Sequence, residues 1–168
     1  MKKMLCILIS LSFLSVGIGC ATKQLWISSP NMEHASNEYF DATISPIYTF
    51  EGYKGFILSI QNKTTGNLEV DWNNTSYLSK GDKEGGFWFE GISYADRNKP
   101  RPPSIVKGAL FSKEIYPSSL LYLSTYYAGA WVHQAMEPGE NGIYLTVRVD
   151  GKEVTETLML VFSIQQSK

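Results

Sequence analysis

Ile143-Tyr144-Leu145-Thr146-Val147-Arg148-Val149 runs into Asp150-Gly151 and then into Lys152-Glu153-Val154-Thr155-Glu156-Thr157-Leu158, and this stretch decides the fold. β-Branched and aromatic residues recur in both runs, which favours extended backbone over helix. Asp-Gly accepts the positive φ angles that a two-residue hairpin turn requires. The stretch therefore predicts an antiparallel hairpin. Residues 158–162 are all apolar, so we expect the second strand to be central and covered on both faces.

Similar segments recur on the N-terminal side of this hairpin. They are separated by Gly, Pro, Asn and Asp about every ten residues, a spacing typical of a β-sandwich. In two of them apolar side chains alternate with polar ones, as a strand with one buried face requires. These apolar residues are Phe56, Leu58 and Ile60, followed by Leu68, Val70 and Trp72.

The predicted fold class is all-β, with no helix of ordinary length. We expect an antiparallel Ig-like β-sandwich of about 7–9 strands, without the cysteine pair of antibody domains. The predicted strands are residues 39–50, 55–62, 67–73, 87–96, 105–115, 120–126, 130–136, 142–150 and 152–165.

The N-terminal twenty residues have the composition of an export signal. Lys2 and Lys3 precede an apolar run at residues 4–18, and small Gly17 and Gly19 lie where a signal peptidase needs small side chains. The run is shorter than the roughly 20 residues that span a bilayer as a permanent helix. Cys20 directly after Gly19 resembles the bacterial lipoprotein signal, although Gly17 occupies a position where such signals usually carry Leu.

This resemblance implies that Cys20 is acylated and begins the mature chain. Since Cys6 lies in the signal, Cys20 is the one remaining thiol, and acylation protects it from the oxidising envelope. The alternative is ordinary secretion with a spare cysteine. In a Gram-negative host, Ala21 after the cysteine resembles the signal for the outer membrane, facing the periplasm. The host class itself is not visible in the sequence.

The sequence divides into three parts on this interpretation. Residues 1–19 are a signal peptide, residues 20–37 are the lipidated cysteine with a polar tether, and residues 38–168 are the sandwich domain. Trp26 is an apolar exception in the tether. Its two interpretations are docking on the domain and contact with the lipid interface.

The charge of the mature chain argues against one class of partner. Loss of Lys2 and Lys3 leaves a formal charge of −3, from thirteen basic and sixteen acidic side chains that are interspersed. Nucleic-acid-binding proteins carry basic stripes, so we expect no nucleic acid partner. No polybasic segment adjoins Cys20, so membrane attachment would depend on the acyl group.

Catalytic and metal-binding motifs are absent from the sequence. His34 falls in the predicted tether, and His133 alternates with Trp131 and Ala135, which favours a half-buried, hydrogen-bonded histidine over a general base. One thiol and two distant histidines cannot form a zinc site, so no metal or cofactor is expected. A loose group of carboxylates could form a hydrolase pair, although turn positions explain it better. It comprises Asp71, Asp82, Glu84, Glu90 and Asp96.

Two segments are candidate partner-binding surfaces. Residues 96–103 combine cations and prolines without an apolar residue, and Arg97, Lys99 and Arg101 could face an acidic partner, a glycan or a lipid headgroup. The alternative is that the prolines stiffen a long connection and protect a sheet edge. The second surface is an aromatic cluster that could stack on sugars or anchor a protein, or could fill the core. It comprises Tyr122, Tyr126, Tyr127 and Trp131.

Four segments carry a resemblance to a family. They are residues 56–64, the Trp-Asn-Asn-Thr-Ser-Tyr segment within residues 70–78, the Tyr-Ala-Asp-Arg segment within residues 91–98, and residues 102–106 after the first proline of the loop. Together they resemble small, largely uncharacterised bacterial lipoproteins with a single Ig-like β-sandwich domain. The resemblance covers residues 56–117, with Lys107-Gly108 in place of the Pro-Pro-Gly expected there. It implies export and a sandwich fold, and it brings no catalytic residues.

These observations predict a lipid-anchored protein of the bacterial cell envelope. Its sandwich would act as a non-enzymatic interaction or structural module, attached to the membrane through an acyl group on Cys20. A second hypothesis is a protein that binds a glycan or another envelope polymer through the aromatic cluster and the cationic proline loop. A third is an enzyme using carboxylates alone, which would need a deep cleft holding two acids.

Overall fold

A computed structural model describes residues 24–108, 110–126 and 129–166. Its strands in chain order are β1 (Gln24–Ser29), β2 (Glu33–Ser36), β3 (Phe40–Thr49), β4 (Gly52–Asn62), β5 (Asn67–Val70), β6 (Ser76–Ser79), β7 (Asp82–Lys83), β8 (Phe87–Trp88), β9 (Ser104–Lys107), β10 (Leu110–Pro117), β11 (Leu121–Leu123), β12 (Trp131–His133), β13 (Gly139–Val149) and β14 (Lys152–Gln166). Single turns of 3₁₀ helix at Tyr94–Asp96 and Ser118–Leu120 are the only helical elements in these residues. None of the described helices could cross a bilayer.

All strand pairs are antiparallel, as predicted. One sheet has the order β1-β14-β13-β5-β9, and β6 pairs with β13 beyond the end of β5 and carries β7 on its other side. A second sheet has the order β2-β3-β4-β10-β8. The short pair β11-β12 stands apart from both.

The predicted hairpin with its turn at Asp150-Gly151 is confirmed. Asp150 and Gly151 adopt φ angles of 50° and 78°, and Val149 pairs directly with Lys152. β14 lies between β1 and β13, with Leu158 and Leu160 fully buried. The central position predicted for this strand is therefore confirmed, but the prediction that both of its faces are covered is wrong, because alternate side chains such as Val161 are exposed.

The two large sheets pack face to face, as in a β-sandwich. Phe56, Leu58 and Ile60 of β4 are fully buried, as the alternation predicts, and so are Leu68 and Val70 of β5. The ring of Phe56 stacks on Phe162 of β14 with centroids 6.4 Å apart. Contacts between aromatic side chains thus join the two sheets through one core.

The interpretation of residues 20–37 as a tether is wrong for its described part. β1 pairs with β14 from Gln24 to Ser29, and β2 pairs with β3. Both strands lie at sheet edges, where polar side chains face solvent and the apolar periodicity is weak. Trp26 docks on the domain: a Cβ at Gly52 would lie 2.7 Å from its ring. The predicted signal peptide and Cys20 lie outside the described residues.

Two other predicted strands are wrong in extent. The predicted strand 87–96 ends after Trp88, because the chain turns at Gly91 (φ 93°) and forms the first 3₁₀ turn. The predicted strand 105–115 is divided at Gly108 (φ 48°) into β9 and β10, which belong to different sheets. Prediction also missed β6 and β7, so about 7–9 strands is fewer than the fourteen in the described part of the chain.

The predicted strands 120–126 and 130–136 are shorter than expected. They contract to β11 and β12, whose register pairs Leu121 with His133 and Leu123 with Trp131. After β12 the chain returns to the second sheet, where the Met136 amide donates to the Tyr53 carbonyl at 2.7 Å. The pair is therefore a short arm attached to one end of the sandwich.

Candidate binding cleft

A cleft of about 580 Å³ opens where three loops meet beside the first sheet. One wall is the turn before β8, the second is the cationic proline loop, and the third is the segment that leads into β11. The polar and charged residues that line it are Asn73, Glu84, Arg97, Asn98, Lys99, Arg101, Ser118 and Ser119. Trp72 and Leu121 supply apolar surface.

The proline loop is held in place by local hydrogen bonds. The Ser93 hydroxyl accepts from the Ala95 amide at 3.3 Å and so caps the 3₁₀ turn. The Trp88 indole N–H donates to the Ile92 carbonyl at 2.9 Å. The three prolines fix φ along the remainder, so the cations are presented from stiff backbone.

Arg101 joins the proline loop to the segment after β5. Its amide donates to Asn73 Oδ1 at 2.8 Å, and Asn73 Nδ2 donates back to the Arg101 carbonyl at 2.9 Å. Its Nη2 donates to the Arg97 carbonyl and, at 3.2 Å, to the Ser118 hydroxyl. The guanidinium carbon lies 5.6 Å from the Phe89 ring centroid. Arg101 therefore ties together three segments around the cleft.

Arg101 is a buried cation. It is 8 % exposed, and among the described residues no carboxylate lies within 4.0 Å of it. Its Nε is also buried, and it has no hydrogen-bond partner in the part of the chain that the structure describes. Burial lowers the pKa of the Arg101 guanidinium, because water can no longer solvate the charge. The prediction that Arg101 is exposed to a partner is corrected in this respect: the side chain reaches the cleft only in part.

Arg97 is the more accessible arginine of the cleft. Its guanidinium carbon lies 4.7 Å from the Trp131 ring centroid, and its Nη1 donates to the Tyr94 carbonyl at 3.1 Å. No ion pair involving Arg97 is found in residues 24–108, 110–126 and 129–166. The side chain is therefore positioned by an aromatic ring and a carbonyl, with its charge uncompensated.

The remaining charges of the cleft are Lys99 and Glu84. Lys99 Nζ lies 2.5 Å from Asp96 Oδ1, and both side chains are largely exposed. Glu84 is the one carboxylate of the described lining. With the Lys99 charge offset by Asp96, two arginines face one glutamate, and the cleft has an excess of positive charge.

A column of stacked rings supports Arg97 from the side of β8. Tyr94 lies between Trp88 and Trp131, at centroid distances of 4.9 and 5.2 Å and with nearly parallel planes. Trp131 was predicted to bind a partner. In the structure it is half-buried, and its ring contacts both the Tyr94 ring and the Arg97 guanidinium. Sequence reasoning did not identify Trp88 or Tyr94 as site residues, because their contacts join separate loops.

The predicted aromatic cluster is not one surface. Tyr122 and Tyr126 are exposed on the β11-β12 arm, with Tyr126 95 % accessible, and they line a shallow depression of their own. Tyr127 lies outside the described residues. The structure thus brings Arg97, Lys99, Arg101 and Trp131 together and leaves the described tyrosines apart from them.

His133 is half-buried, between Tyr116 and Trp88, at centroid distances of 4.3 and 5.2 Å. Burial, with a smaller contribution from Lys54, lowers its pKa to about 4. The expectation that its nitrogens are hydrogen-bonded is wrong for Nδ1, which is buried and has no partner among residues 24–108, 110–126 and 129–166. The ring is therefore an uncharged packing group near neutral pH.

The carboxylates grouped in the sequence are dispersed in the fold. Asp71 is buried; its Oδ1 accepts from the Asn73 amide at 3.0 Å, and its Oδ2 pairs with Arg148. Its role is to fix the turn after β5. In the part of the chain that the structure describes, no three His, Cys, Asp or Glu side chains converge on a point where a metal could bind.

Comparison with known proteins gives no further assignment. No protein-family model matches the chain, and no curated protein or solved structure is significantly similar to it. The chemistry of the cleft is therefore the basis for interpreting its function.

Proposed function

We propose that this chain is a lipid-anchored protein of the bacterial cell envelope, and that its sandwich is a non-enzymatic module which binds an acidic glycan in the cleft. The observation that carries the proposal is the buried guanidinium of Arg101, uncompensated by any described carboxylate and adjacent to unpaired Arg97. A buried charge is costly unless it is paired. A bound carboxylate would supply the missing counterion.

The remaining lining of the cleft is suited to a sugar. Asn73, Asn98, Ser118 and Ser119 offer amide and hydroxyl groups that can bond to sugar hydroxyls. Such groups fix the orientation of a ligand in a cleft, while the apolar surface of Trp72 and Leu121 contributes burial. A uronic acid combines both features, because it carries a carboxylate on a polyhydroxylated ring.

The non-enzymatic part of the proposal rests on the same lining. Glycoside hydrolysis generally uses two carboxylates on opposite sides of the scissile bond. The described lining offers Glu84 alone, and His133 contacts aromatic rings outside this lining. Recognition is therefore the simpler use of these residues.

The Ig-like classification is also part of the proposal, and the strand order supports it. In Ig domains the strands A-B-E-D form one sheet and C-F-G the other. Taking β3, β4, β8 and β10 as A, B, D and E gives the order found in the second sheet. Taking β5, β13 and β14 as C, F and G gives the order found in the first. β1, β2 and β9 are additions at the sheet edges, β6 and β7 extend the first sheet beside β13, and the β11-β12 pair lies outside both sheets.

The anchor is tested by metabolic labelling. Labelled palmitate should enter the wild-type protein and should be absent from Cys20→Ser, because the proposed acyl group is attached through the Cys20 sulfur. Label in the mutant, or none in the wild type, would overturn the anchor assignment.

The ligand is tested with a uronic-acid oligosaccharide as the probe and a neutral oligosaccharide of the same length beside it. Arg97→Ala should weaken uronate binding about tenfold, which is the scale of one charge-assisted hydrogen bond. Lys107→Ala removes an exposed cation at the far end of β9 and is the matched control. Calorimetry gives the affinities, and circular dichroism verifies folding. Equal affinity of wild type and Arg97→Ala, or equal binding of both probes, would refute an acidic-glycan site.

A further inference from the structure

Four large apolar side chains are exposed at one end of the sandwich. Phe50 is 90 % exposed at the tip of the β3-β4 hairpin, and Tyr48 beside it is 53 % exposed. Leu25 on β1 is 49 % exposed, and Ile164 on β14 is 38 % exposed. Turn tips normally carry small or polar residues. A phenylalanine that is almost fully exposed at such a position contributes nothing to the core.

Contacts within the fold bring the tip of the β3-β4 hairpin and the start of β1 to the same end of the sandwich. Trp26 lies beneath Gly52 and makes an edge-on contact with Tyr53, whose ring centroid is 6.1 Å away. Tyr48 contacts the same ring at 5.5 Å. Ile164 is the register partner of Trp26, and Leu25 precedes Trp26 on β1 with its side chain on the opposite face of the strand. The hairpin tip and the start of β1 therefore lie at the same end of the sandwich, here called the apolar end.

The apolar end is also the place where the chain enters the domain. Gln24 pairs with Gln166, whereas β13 begins at Gly139, opposite Phe162. The first residues of β1 and the last four of β14 thus extend past the rest of the sheet as a two-stranded ribbon. Residues 21–23 alone separate this ribbon from Cys20 in the sequence.

This short separation restricts where the domain can lie if Cys20 is acylated. Four residue steps span at most about 14 Å when fully extended. The headgroup layer on each side of the hydrocarbon core is about 5–7 Å thick. The start of β1 is therefore held within reach of the headgroups, and the polar tether predicted within residues 20–37 is not available as a spacer, because most of it is paired into the sheets.

We infer that the apolar end is a membrane-contact surface, with Phe50 as its inserting side chain and the lipid bilayer itself as its partner. The inference rests on the acylation of Cys20 proposed above. Aromatic side chains are favoured at the boundary between headgroups and acyl chains, and Tyr48 can keep its hydroxyl in water there. The sandwich would then stand on its apolar end, in a fixed orientation.

The charges near the hairpin tip are compatible with this contact. Glu51 follows Phe50 directly, and its carboxylate is ion-paired with Lys54. A paired carboxylate brings no net charge to the lipid surface, so no repulsion from anionic headgroups opposes the approach.

Photocrosslinking in intact membranes tests the inference on the full chain. A photoreactive phenylalanine analogue replaces Phe50 in one variant and Leu110 in the other. Leu110 is 63 % exposed and pairs with Gln61, at the opposite end of β4, so it is a matched apolar control. Both sites are exposed, so the fold is preserved. Lipid adducts are expected at position 50 and no lipid adducts are expected at position 110. Palmitate labelling is measured in the same samples.

Each outcome separates this inference from the proposed function. Acylated protein without lipid adducts at position 50, or with equal adducts at both positions, would overturn the membrane contact and leave the anchor intact. Protein adducts at position 50 in place of lipid would also overturn it, because the surface would then be a protein interface. Absence of palmitate from the wild type would remove the anchor and the contact together.

Discussion

Arg101 and His133 show two responses of a basic side chain to burial. The guanidinium of Arg101 stays protonated, because an arginine pKa far above neutrality leaves room for a decrease. The imidazole of His133 gives up its proton instead, since its ordinary pKa is 6.5 and burial takes it to about 4. Arg101 therefore keeps a positive charge beside the cleft, whereas His133 is uncharged between Tyr116 and Trp88.

The first prediction concerns pH. In the folded protein His133 has a pKa of about 4, against 6.5 as the ordinary value, so the unfolded chain binds more protons between these values. The free energy of unfolding should therefore rise with pH between about 4 and 6.5, and the contribution of His133 should be constant above that range. Urea unfolding at a series of pH values measures the slope.

The control for this prediction is His133→Phe. This variant keeps a ring between Tyr116 and Trp88 and removes the titrating group. Its stability should depend less on pH across the same window. An identical slope in both proteins would show that His133 does not carry the effect.

Sequence reasoning identified the charged residues of the cleft but not their environments. Arg97, Lys99 and Arg101 were identifiable because cations and prolines without an apolar residue are unusual. The burial of Arg101 could not be predicted, because it depends on Asn73 and Ser118, which come from other loops. A side chain's exposure is set by contacts between distant segments, and local composition does not report these.

At the scale of elements, strands with one buried face were predictable and edge strands were not. β4 and β5 alternate apolar and polar residues, because one face lies on the core. β1 and β2 lie at sheet edges and contribute few buried side chains, so their sequence is hardly distinguishable from a polar tether. Their conformation follows from hydrogen bonds to β14 and β3.

The second prediction distinguishes two glycines of the β13-β14 hairpin. A Cβ at Gly142 would collide with the Leu158 carbonyl and the Met159 backbone, so Gly142→Ala should separate the strands and lower the free energy of unfolding by about 3 kcal/mol. Gly151 has open space around it but a φ of +78°, so Gly151→Ala should cost about 1–2 kcal/mol. Urea unfolding of both variants gives the comparison. A milder effect at Gly142 than at Gly151 would contradict the close approach of the two strands.

At the scale of the whole molecule, one core serves both sheets. Phe162 of the first sheet contacts Phe56 and Tyr53 of the second, with the Tyr53 ring centroid 4.4 Å away. Neither sheet can lose its partner without exposing these rings. We therefore expect the two sheets to unfold together in one transition.

The third prediction tests this shared core with neighbouring residues. Phe162 is 1 % exposed, and Phe162→Ala should lower the free energy of unfolding by about 3–5 kcal/mol. Val161 is 45 % exposed on the other face of the same strand, and Val161→Ala should change it by about 0.5 kcal/mol or less. Near- and far-ultraviolet circular dichroism should give coincident urea transitions for the wild type. Separate transitions would show that the sheets are independent.

The position of β14 also dictates the order in which the molecule can assemble. β1 is the first described strand, and its pairing partner is the last. A ribosome releases β1 long before β14 exists, so β1 has no pairing partner until β14 has been made. Pairing between strands far apart in the chain is slow, because a long loop must close first. The edge of the first sheet at β1 can therefore form only after β14 has emerged.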